Sequence, residues 1–297
     1  MANKTHHEIE LLRAGVTKYM PRELAFCNEE EFLVMSGLLL RWQLGEIEYE
    51  DLRVQAVYSF LDFKFGKRRI NDLEQMAMHS NIYEISRCID TFFTKTPEND
   101  LQIKLNLINN PILNIKPFIK EWMGPEARFV NTTFGQYIDA LNIFHLYHRT
   151  SDVKYLYLLM ATYYLPKNRP YNPDKTEKRA SLIKALISKE HVHGFFLYFS
   201  SFHNDITTSR MSWEGNLIDF SMLFSGSNDD FKSEIPGLGM KSIAYTLAES
   251  NIIGNLNDVR KEKLWEVLLL LYDLRKKDMD NLARQKEAEN KSNSTNS

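Results

Sequence analysis

Hydrophobic residues recur every three or four positions over most of the chain, which is the spacing that predicts amphipathic helices. The clearest case begins at Asn28, which has the spacing of a helix-capping pair with Glu31. Apolar residues then follow at helical intervals as far as Gly45, a residue suited to the end of a helix. A second helix is predicted from about Glu48 to Gly66, and the short connection predicts that the two helices pack antiparallel.

A third helix is predicted over Ile70–Phe93, with a break near His79 and Ser80, and Pro97 closes it because proline cannot continue a helical ladder. The N-terminal third of the chain is therefore predicted to be a helical bundle. The residues that precede it, with His6 and His7 among them, are expected to form a mobile terminus without a role.

A different periodicity follows in the segment LQIKLNL at residues 101–107, where apolar and polar residues alternate strictly. Alternation with a period of two predicts a β-strand. The segment ARFVN at 127–131 is the candidate partner strand. Because a lone hairpin is only marginally stable, this pair is expected to lie against helices.

The second half of the chain returns to helical spacing. One long helix there is given a break at Gly194, where a residue without a side chain weakens the helix. The predicted helices cover about 134–149, 152–164, 176–204, 212–224 and 240–250, followed by a last helix beyond Asn257.

These patterns predict a mainly α fold, a multi-helix bundle with a small β-hairpin near residues 101–131. The predicted organisation is an N-terminal helical bundle at 1–98, an extended connection at 99–132, a C-terminal helical domain at 133–289 and a disordered tail at 290–297. The tail is assigned as disordered because its polar residues cannot bury a core.

Composition narrows the class of protein. The 297 residues are 43% hydrophobic, and 37 basic against 39 acidic side chains give a net charge of -2, so no overall field attracts nucleic acid or an anionic membrane. Cys27 and Cys88 have no CxxC partner, which predicts neither a disulfide framework nor a thiolate metal site. With no signal-peptide pattern and no apolar run near the roughly 18 residues that span a bilayer, we expect a cytoplasmic protein.

Two histidines give the strongest candidate for chemistry. His145 and His148 are separated by three positions and share one helical face. A zinc site needs three or four ligands, and a di-iron box would need a glutamate where Asn142 stands. We therefore expect no bound metal or cofactor, while a helical metal-dependent enzyme that uses His145 and His148 stays as the alternative.

Other functional motifs are absent or weak. The sequence contains no GxSxG nucleophile elbow, no phosphate-binding GxxxxGK[ST] loop and no GxGxxG fingerprint, which favours a protein that is not an enzyme. The basic segment Lys64–Arg69 is the basis of a third alternative, a nucleic-acid-binding module. At this net charge, a short basic segment predicts only weak, salt-sensitive binding.

The last helix has a composition that changes along its length. Its first part, Leu264–Leu274, is apolar enough to anchor in a core, and the part that follows is a polar rod with two apolar residues three positions apart. This pattern predicts a docking surface for another protein or for a second copy of the chain. The residues assigned to it are Met279, Leu282, Lys276, Lys277 and Lys286.

Several long stretches carry a resemblance to known sequences: PRELAFCNEEEFLVMSGLLLRWQLGEIEYEDLR, TFGQYIDALNIFHLYHRTSDVKYLYLLMATYYLPKNRPY, WEGNLIDFSML and SIAYTLAESNIIGNLNDVRKEKLWEVL. They resemble uncharacterised, mostly helical proteins encoded among the structural and tail-assembly genes of tailed phages and prophages. The resemblance spans most of the chain but includes no catalytic motif, so no functional residue is carried over. It implies a non-enzymatic role in virion assembly, as a tail-assembly factor or minor structural component. Its partners would be other virion or assembly proteins, in the host cytoplasm or in the particle.

Overall fold

A computed structural model describes residues 4–11, 15–63, 71–117, 119, 121–208, 210–213, 215–224 and 240–295. These residues form a mainly α fold with small β-hairpins, as the hydrophobic pattern predicts. The α-helices among them are α1 (Glu29–Gln43), α2 (Tyr49–Phe60), α3 (Asp72–Ser86), α4 (Phe134–Thr150), α5 (Lys154–Tyr163), α6 (Thr176–Leu186), α7 (Lys189–Thr208), α8 (Met240–Glu249), α9 (Leu256–Lys261) and α10 (Leu264–Thr295).

The strands of the described residues are short and pair antiparallel. They are β1 (His6–Leu11), β2 (Val16–Pro21), β3 (Phe93–Lys95), β4 (Leu101–Ile103), β5 (Asn114–Ile115), β6 (Trp122–Met123), β7 (Leu165–Pro166), β8 (Arg210–Trp213) and β9 (Asn216–Asp219). Three pairs, β1–β2, β3–β4 and β8–β9, are two-stranded, and β5, β6 and β7 form a three-stranded sheet in that order. None of the described helices is both long enough and apolar enough to cross a bilayer.

Contacts between residues divide the chain into two compact units. Unit 1 comprises Met1–Arg128 and Ser151–Phe202, and unit 2 comprises Phe129–Thr150 and His203–Ser297. The units are interleaved along the sequence, since α4 belongs to unit 2 and the following helix α5 belongs to unit 1. This division differs from the consecutive one predicted at residues 98 and 132.

Helix α1 of unit 1 begins at the predicted capping pair. The side chain of Asn28 accepts a hydrogen bond from the Glu31 backbone N–H at 3.0 Å, and the Glu31 carboxylate accepts one from the Asn28 N–H at 2.9 Å. These bonds satisfy two amides that the first helical turn leaves without a partner. Phe32, Met35 and Leu39 follow on the inward face and are fully buried. The predicted helix and its buried face are confirmed.

The predicted helix break at Gly194 is wrong. Gly194 lies inside the continuous helix α7, and the break lies before it, between α6 and α7. A Cβ atom at Gly194 would lie 2.8 Å from Cε1 of Phe32 and 2.9 Å from Cδ1 of Ile112. Glycine is therefore needed at this position because neighbouring side chains approach the helix closely. From the sequence alone, a glycine of this kind cannot be distinguished from one that breaks a helix.

The third predicted helix ends earlier than predicted. Helix α3 does not break at His79 and Ser80, and instead tightens into a 3₁₀ helix at Arg87–Phe92. At this point the Ser86 hydroxyl donates a hydrogen bond to the Tyr83 carbonyl oxygen at 2.7 Å. A hydroxyl that bonds back to the preceding turn competes with the α-helical ladder, which favours a change of helix type there.

Strand β4 has a different partner from the one predicted. It pairs with β3, which precedes it, and the predicted partner ARFVN begins instead with a 3₁₀ helix at Ala127–Phe129. The connection between β3 and β4 is closed by the Thr96 N–H, which donates to the Asp100 carbonyl oxygen at 2.9 Å. Pairing across a connection this short costs less loop-closure entropy than pairing with residues 127–131.

The N-terminal residues form a hairpin, so the expectation of a mobile terminus at His6 and His7 is wrong. Both residues lie in β1, and Nε2 of His7 is 3.2 Å from the Thr91 hydroxyl oxygen. Polar and apolar residues alternate over Glu8–Leu11, which is strand-like, and Gly15, with φ +61, lies in the connection between the strands. That positive φ is accessible to glycine at little cost.

In unit 2, backbone hydrogen bonds tie the start of α4 to the start of α10. The Phe134 N–H donates to the Glu262 carbonyl oxygen at 2.8 Å, and the Leu264 N–H donates to the Thr132 carbonyl oxygen at 3.0 Å. Gly135 permits this approach, because a Cβ atom there would lie 2.7 Å from the Arg260 carbonyl oxygen. The base of α10 is therefore held by backbone contacts as well as by its buried side chains.

A hairpin replaces the helix predicted at 212–224. Strands β8 and β9 pair with Arg210 opposite Asp219, and Gly215 between them has φ +81, a conformation that ends a helix and suits a turn. Phe220, in the 3₁₀ helix that follows, is fully buried and lies with its ring centre 5.9 Å from that of Trp265. The predicted helix near 240–250 is confirmed as α8.

Candidate functional site

Helix α10 is the element that carries the predicted interaction residues. It has 32 residues, contains neither glycine nor proline, and is about 48 Å long at 1.5 Å per residue. Its first turns are buried through Leu264, Trp265 and Leu268. Every side chain in Arg275–Ala288 is exposed, and we call this segment the arm. Because the helix continues to Thr295, the prediction of a disordered tail from residue 290 is wrong for residues 290–295.

Two large apolar side chains lie on the arm. Met279 is 48% exposed and Leu282 is 54% exposed. At 100° per residue they continue the stripe by which α10 enters the core of unit 2. The stripe, at alternating spacings of three and four, is Trp265, Leu268, Tyr272, Arg275, Met279, Leu282 and Lys286. The face that anchors the helix therefore extends into solvent with two apolar residues between two cations.

Two of the cations on the arm form ion pairs along the helix. Lys276 pairs with Asp280 at 2.8 Å and Lys277 pairs with Asp273 at 2.5 Å, each across one helical turn. The hydrogen bond with Asp280 raises the pKa of Lys276, and it lowers the pKa of Asp280. Exposed pairs of this kind contribute little to stability. Two of the predicted interaction residues are thus engaged along the helix itself.

Arg275 and Lys286 differ from those two lysines because they lie on the apolar stripe. Neither has an ion-pair partner among the residues that the structure describes. Sequence reasoning assigned Lys286 to the interaction surface but missed Arg275. The signal for Arg275 was available, since the residue occurs four positions before Met279.

The structure brings the two predicted histidines to a third one. His145 and His148 of α4 lie beside His203 of α7, and the ring centres of His145 and His203 are 6.3 Å apart. Phe144 lies against the group, with its ring centre 4.4 Å from that of His148 and 5.6 Å from that of His203. We call His145, His148 and His203 the histidine cluster, and all three belong to unit 2.

The environment of the histidine cluster favours uncharged rings. Burial lowers the pKa of His145 and of His148. Burial, followed by the repulsion that protonated His145 and His148 would exert, lowers the pKa of His203 to about 4. Among the described residues, no group of three or more His, Cys, Asp or Glu side chains is placed to hold a metal ion. The visible role of the cluster is aromatic packing around Phe144.

The two histidines of the segment HVHGFF have separate surroundings in unit 1. His193 is buried, with Nδ1 2.9 Å from the Ser36 carbonyl oxygen and Nε2 3.1 Å from Oε1 of Gln43. Burial lowers the pKa of His193 to about 4. Nδ1 of His191 instead lies 2.9 Å from the Ser188 hydroxyl oxygen. The two rings do not meet, as their spacing on a helix predicts.

The remaining sequence candidate is the basic segment Lys64–Arg69, which lies outside the described residues. Weak nucleic-acid binding through this segment therefore stays a prediction.

No protein-family model matches the chain, and no curated protein or solved structure matches it. A function for the chain therefore has to be inferred from its own residues.

Proposed function

We propose that the protein acts without catalysis, as a virion-assembly or minor structural protein of a phage or prophage, and binds other proteins through the arm. One observation carries this proposal. The apolar stripe of α10 continues beyond the core of unit 2 and leaves Met279 and Leu282 exposed on a helix. Apolar residues at such spacing are the anchors by which amphipathic helices dock into grooves.

The free energy available from these anchors is considerable. Burying a leucine or methionine side chain fully is worth about 1.5–3 kcal/mol. Met279 and Leu282 retain roughly half of their exposure in the folded chain, so part of that free energy is left for a partner. The arm gains no packing of its own, and most helical stability in proteins comes from packing. Docking would therefore stabilise the arm as well as bind the partner.

The biological setting comes from the resemblance to helical proteins encoded in phage structural and tail-assembly gene modules. In that setting the partners are other virion or assembly proteins, or a second copy of the chain. The resemblance supports the choice of an assembly role over other kinds of protein binding. The arm supports the choice of a contact-based mechanism.

Truncation after Lys277 tests the role of the arm. We expect thermal unfolding to change little, because every side chain described from Arg275 to Ala288 is exposed. Sedimentation should show weaker self-association, or co-purification with proteins encoded by neighbouring genes should decrease.

Point variants separate the apolar pair from the rest of the arm. Met279→Asp with Leu282→Asp should reproduce the effect of truncation. Asn281→Asp with Ala288→Asp adds the same charge to the opposite face of the helix and should leave association unchanged. If truncated and full-length chains associate alike, the arm has no docking role, and the interaction surface must be sought on the aromatic helices α4 and α5.

A further inference from the structure

A groove lies beside the base of α10 in unit 2. Its volume is about 640 Å³, and it lies between the loop that holds Ile252 and the first turns of α10. Ile252 is 53% exposed, so apolar surface is accessible at the edge of the groove. The residues that line the groove are Ile252, Ile253, Glu262, Lys263, Glu266 and Leu270.

The chemistry of the groove complements that of the arm. The groove combines three apolar side chains with two carboxylates and one ammonium group. The stripe on the arm has the matching composition, because Met279 and Leu282 lie between Arg275 and Lys286. Two apolar anchors flanked by cations therefore match a mixed lining of three apolar and three charged side chains, which has one more negative than positive charge. Such complementarity gives a contact its specificity.

The arm cannot occupy the groove of its own chain. Leu270 in the groove and Met279 on the arm belong to one unbroken helix, and nine residues separate them by about 13 Å along the axis. No glycine or proline allows the helix to fold back between them. An arm that enters this groove must come from another copy.

The groove and the stripe face opposite sides of α10. Nine residues at 100° each place Met279 half a turn away from Leu270, and sixteen residues place Leu282 nearly half a turn away from Glu266. Two copies of α10 paired about a two-fold axis would need both surfaces on one side of the helix. A contact between the arm and the groove would therefore be heterologous, with the arm of one copy in the groove of the next.

We infer that the chain associates head to tail, with Met279 and Leu282 of one copy docked between Ile252 and Leu270 of a second copy. This inference rests on the proposed function and names the partner of the arm. Such a contact repeats along a row of copies and closes into a ring or continues as a filament. A single arm in a single groove has the small size of a transient contact, below about 1,200 Å².

Complementary variants test the inference. An arm-blocked chain carries Met279→Asp and Leu282→Asp and keeps its groove. A groove-blocked chain carries Ile252→Asp and Glu266→Lys and keeps its arm. All four positions are exposed, so both chains should fold, which circular dichroism and thermal unfolding would verify. Leu73→Asp, at a position that is 79% exposed on α3, serves as the matched control.

Sedimentation velocity over a concentration series gives the readout. The average molecular mass of the wild-type chain and of the Leu73→Asp control should increase with concentration, whereas each blocked chain alone should stay monomeric. An equal mixture of the two blocked chains should form a dimer and nothing larger. The groove-blocked chain supplies the intact arm, and the arm-blocked chain supplies the intact groove. A mixture that stays monomeric, or a wild-type chain that is monomeric throughout, would overturn the inference.

The outcomes also separate the inference from the proposed function. If truncation after Lys277 abolishes association while the groove-blocked chain associates like the wild type, the arm docks elsewhere and only the groove assignment fails. If the truncated chain associates like the full-length chain, the docking role of the arm fails and the groove assignment fails with it.

Discussion

The hydroxyl oxygen of Tyr137 lies 3.0 Å from Nδ1 of His203, within unit 2. Tyr137 is fully buried, and burial raises its pKa far above the ordinary range, so its hydroxyl keeps its proton. A neutral His203 can accept a hydrogen bond from this hydroxyl at Nδ1, whereas a protonated His203 would present an N–H there. The contact therefore fits the neutral form of His203, whose pKa is lowered to about 4 by burial and by His145 and His148.

Lowering the pH should reduce the free energy of unfolding through protonation of His203. The folded-state pKa of about 4 is below the ordinary value of 6.5, so the unfolded chain takes up this proton first as the pH falls. The contribution of His203 to stability is then constant above about pH 6.5, declines between 6.5 and 4, and levels off below 4. Its size is on the order of 3 kcal/mol, which denaturant unfolding at pH 7 and pH 4.5 would measure.

Replacement of His203 separates its effect from that of other groups. His203→Gln should lower stability at pH 7 yet reduce the loss between pH 7 and pH 4.5. His79→Gln, at an exposed position of α3, should leave that loss as it is in the wild type. An equal loss in the His203 variant and the wild type would show that His203 does not titrate in this way.

The ion pair between Asp139 and Arg260 should stabilise unit 2. The Arg260 guanidinium donates to the Asp139 carboxylate at 2.6 Å, and only 26% and 21% of the two side chains are exposed. We expect a coupling free energy of about 1 kcal/mol in a double-mutant cycle with Asp139→Asn and Arg260→Met. The exposed pair Arg210–Asp219, at 3.3 Å, provides the comparison and should couple less. Equal coupling in the two cycles would contradict the effect of burial.

Hydrogen exchange should divide α10 into two parts. Amides in Val267–Leu271 should exchange slowly, because they are hydrogen-bonded in the packed base of the helix. Amides in 279–288 should exchange fast, because no packing protects the arm. Docking in a groove would slow exchange in the arm as the protein concentration rises. Mass spectrometry of peptides from the two segments measures both effects. Slow exchange along the arm at high dilution would be inconsistent with this division.

The purified protein should contain no stoichiometric zinc, iron or manganese. A site of this kind needs three or four ligands at suitable positions, and no three His, Cys, Asp or Glu side chains of the described residues are placed to hold a metal ion. The three rings of the histidine cluster pack around Phe144 instead. Elemental analysis is the direct measurement. One or two metal ions per chain, lost in the double variant His145→Ala, His148→Ala, would favour the metal-dependent enzyme instead.

Features with local causes were predictable from the sequence. The capping pair Asn28 and Glu31 fixes the start of α1 through hydrogen bonds between residues three positions apart. The polar rod after Leu274 was likewise predictable, because a change in composition marks it. The hairpin β8–β9 was not, since Gly215 permits a turn without requiring one. Helical spacing on either side of such a glycine is equally compatible with a single helix.

The parts of the site that depend on distant contacts could not be predicted. His203 lies 58 positions after His145, and nothing in either segment indicates that they meet. The groove joins Ile252 to Leu270 through the packing of a loop against α10. Each residue by itself is an ordinary apolar residue, so the sequence gives no reason to connect it with the arm.

The unbroken course of α10 sets the rotational phase of the arm relative to the core. One residue inserted after Leu274 would turn Met279 and Leu282 by about 100° around the axis and advance them by about 1.5 Å. Seven inserted residues would restore the direction of the stripe to within about 20° but carry it about 10 Å farther out. In a head-to-tail row, the length of this helix would thus set the distance between neighbouring copies, and its rotational phase would set the angle between them.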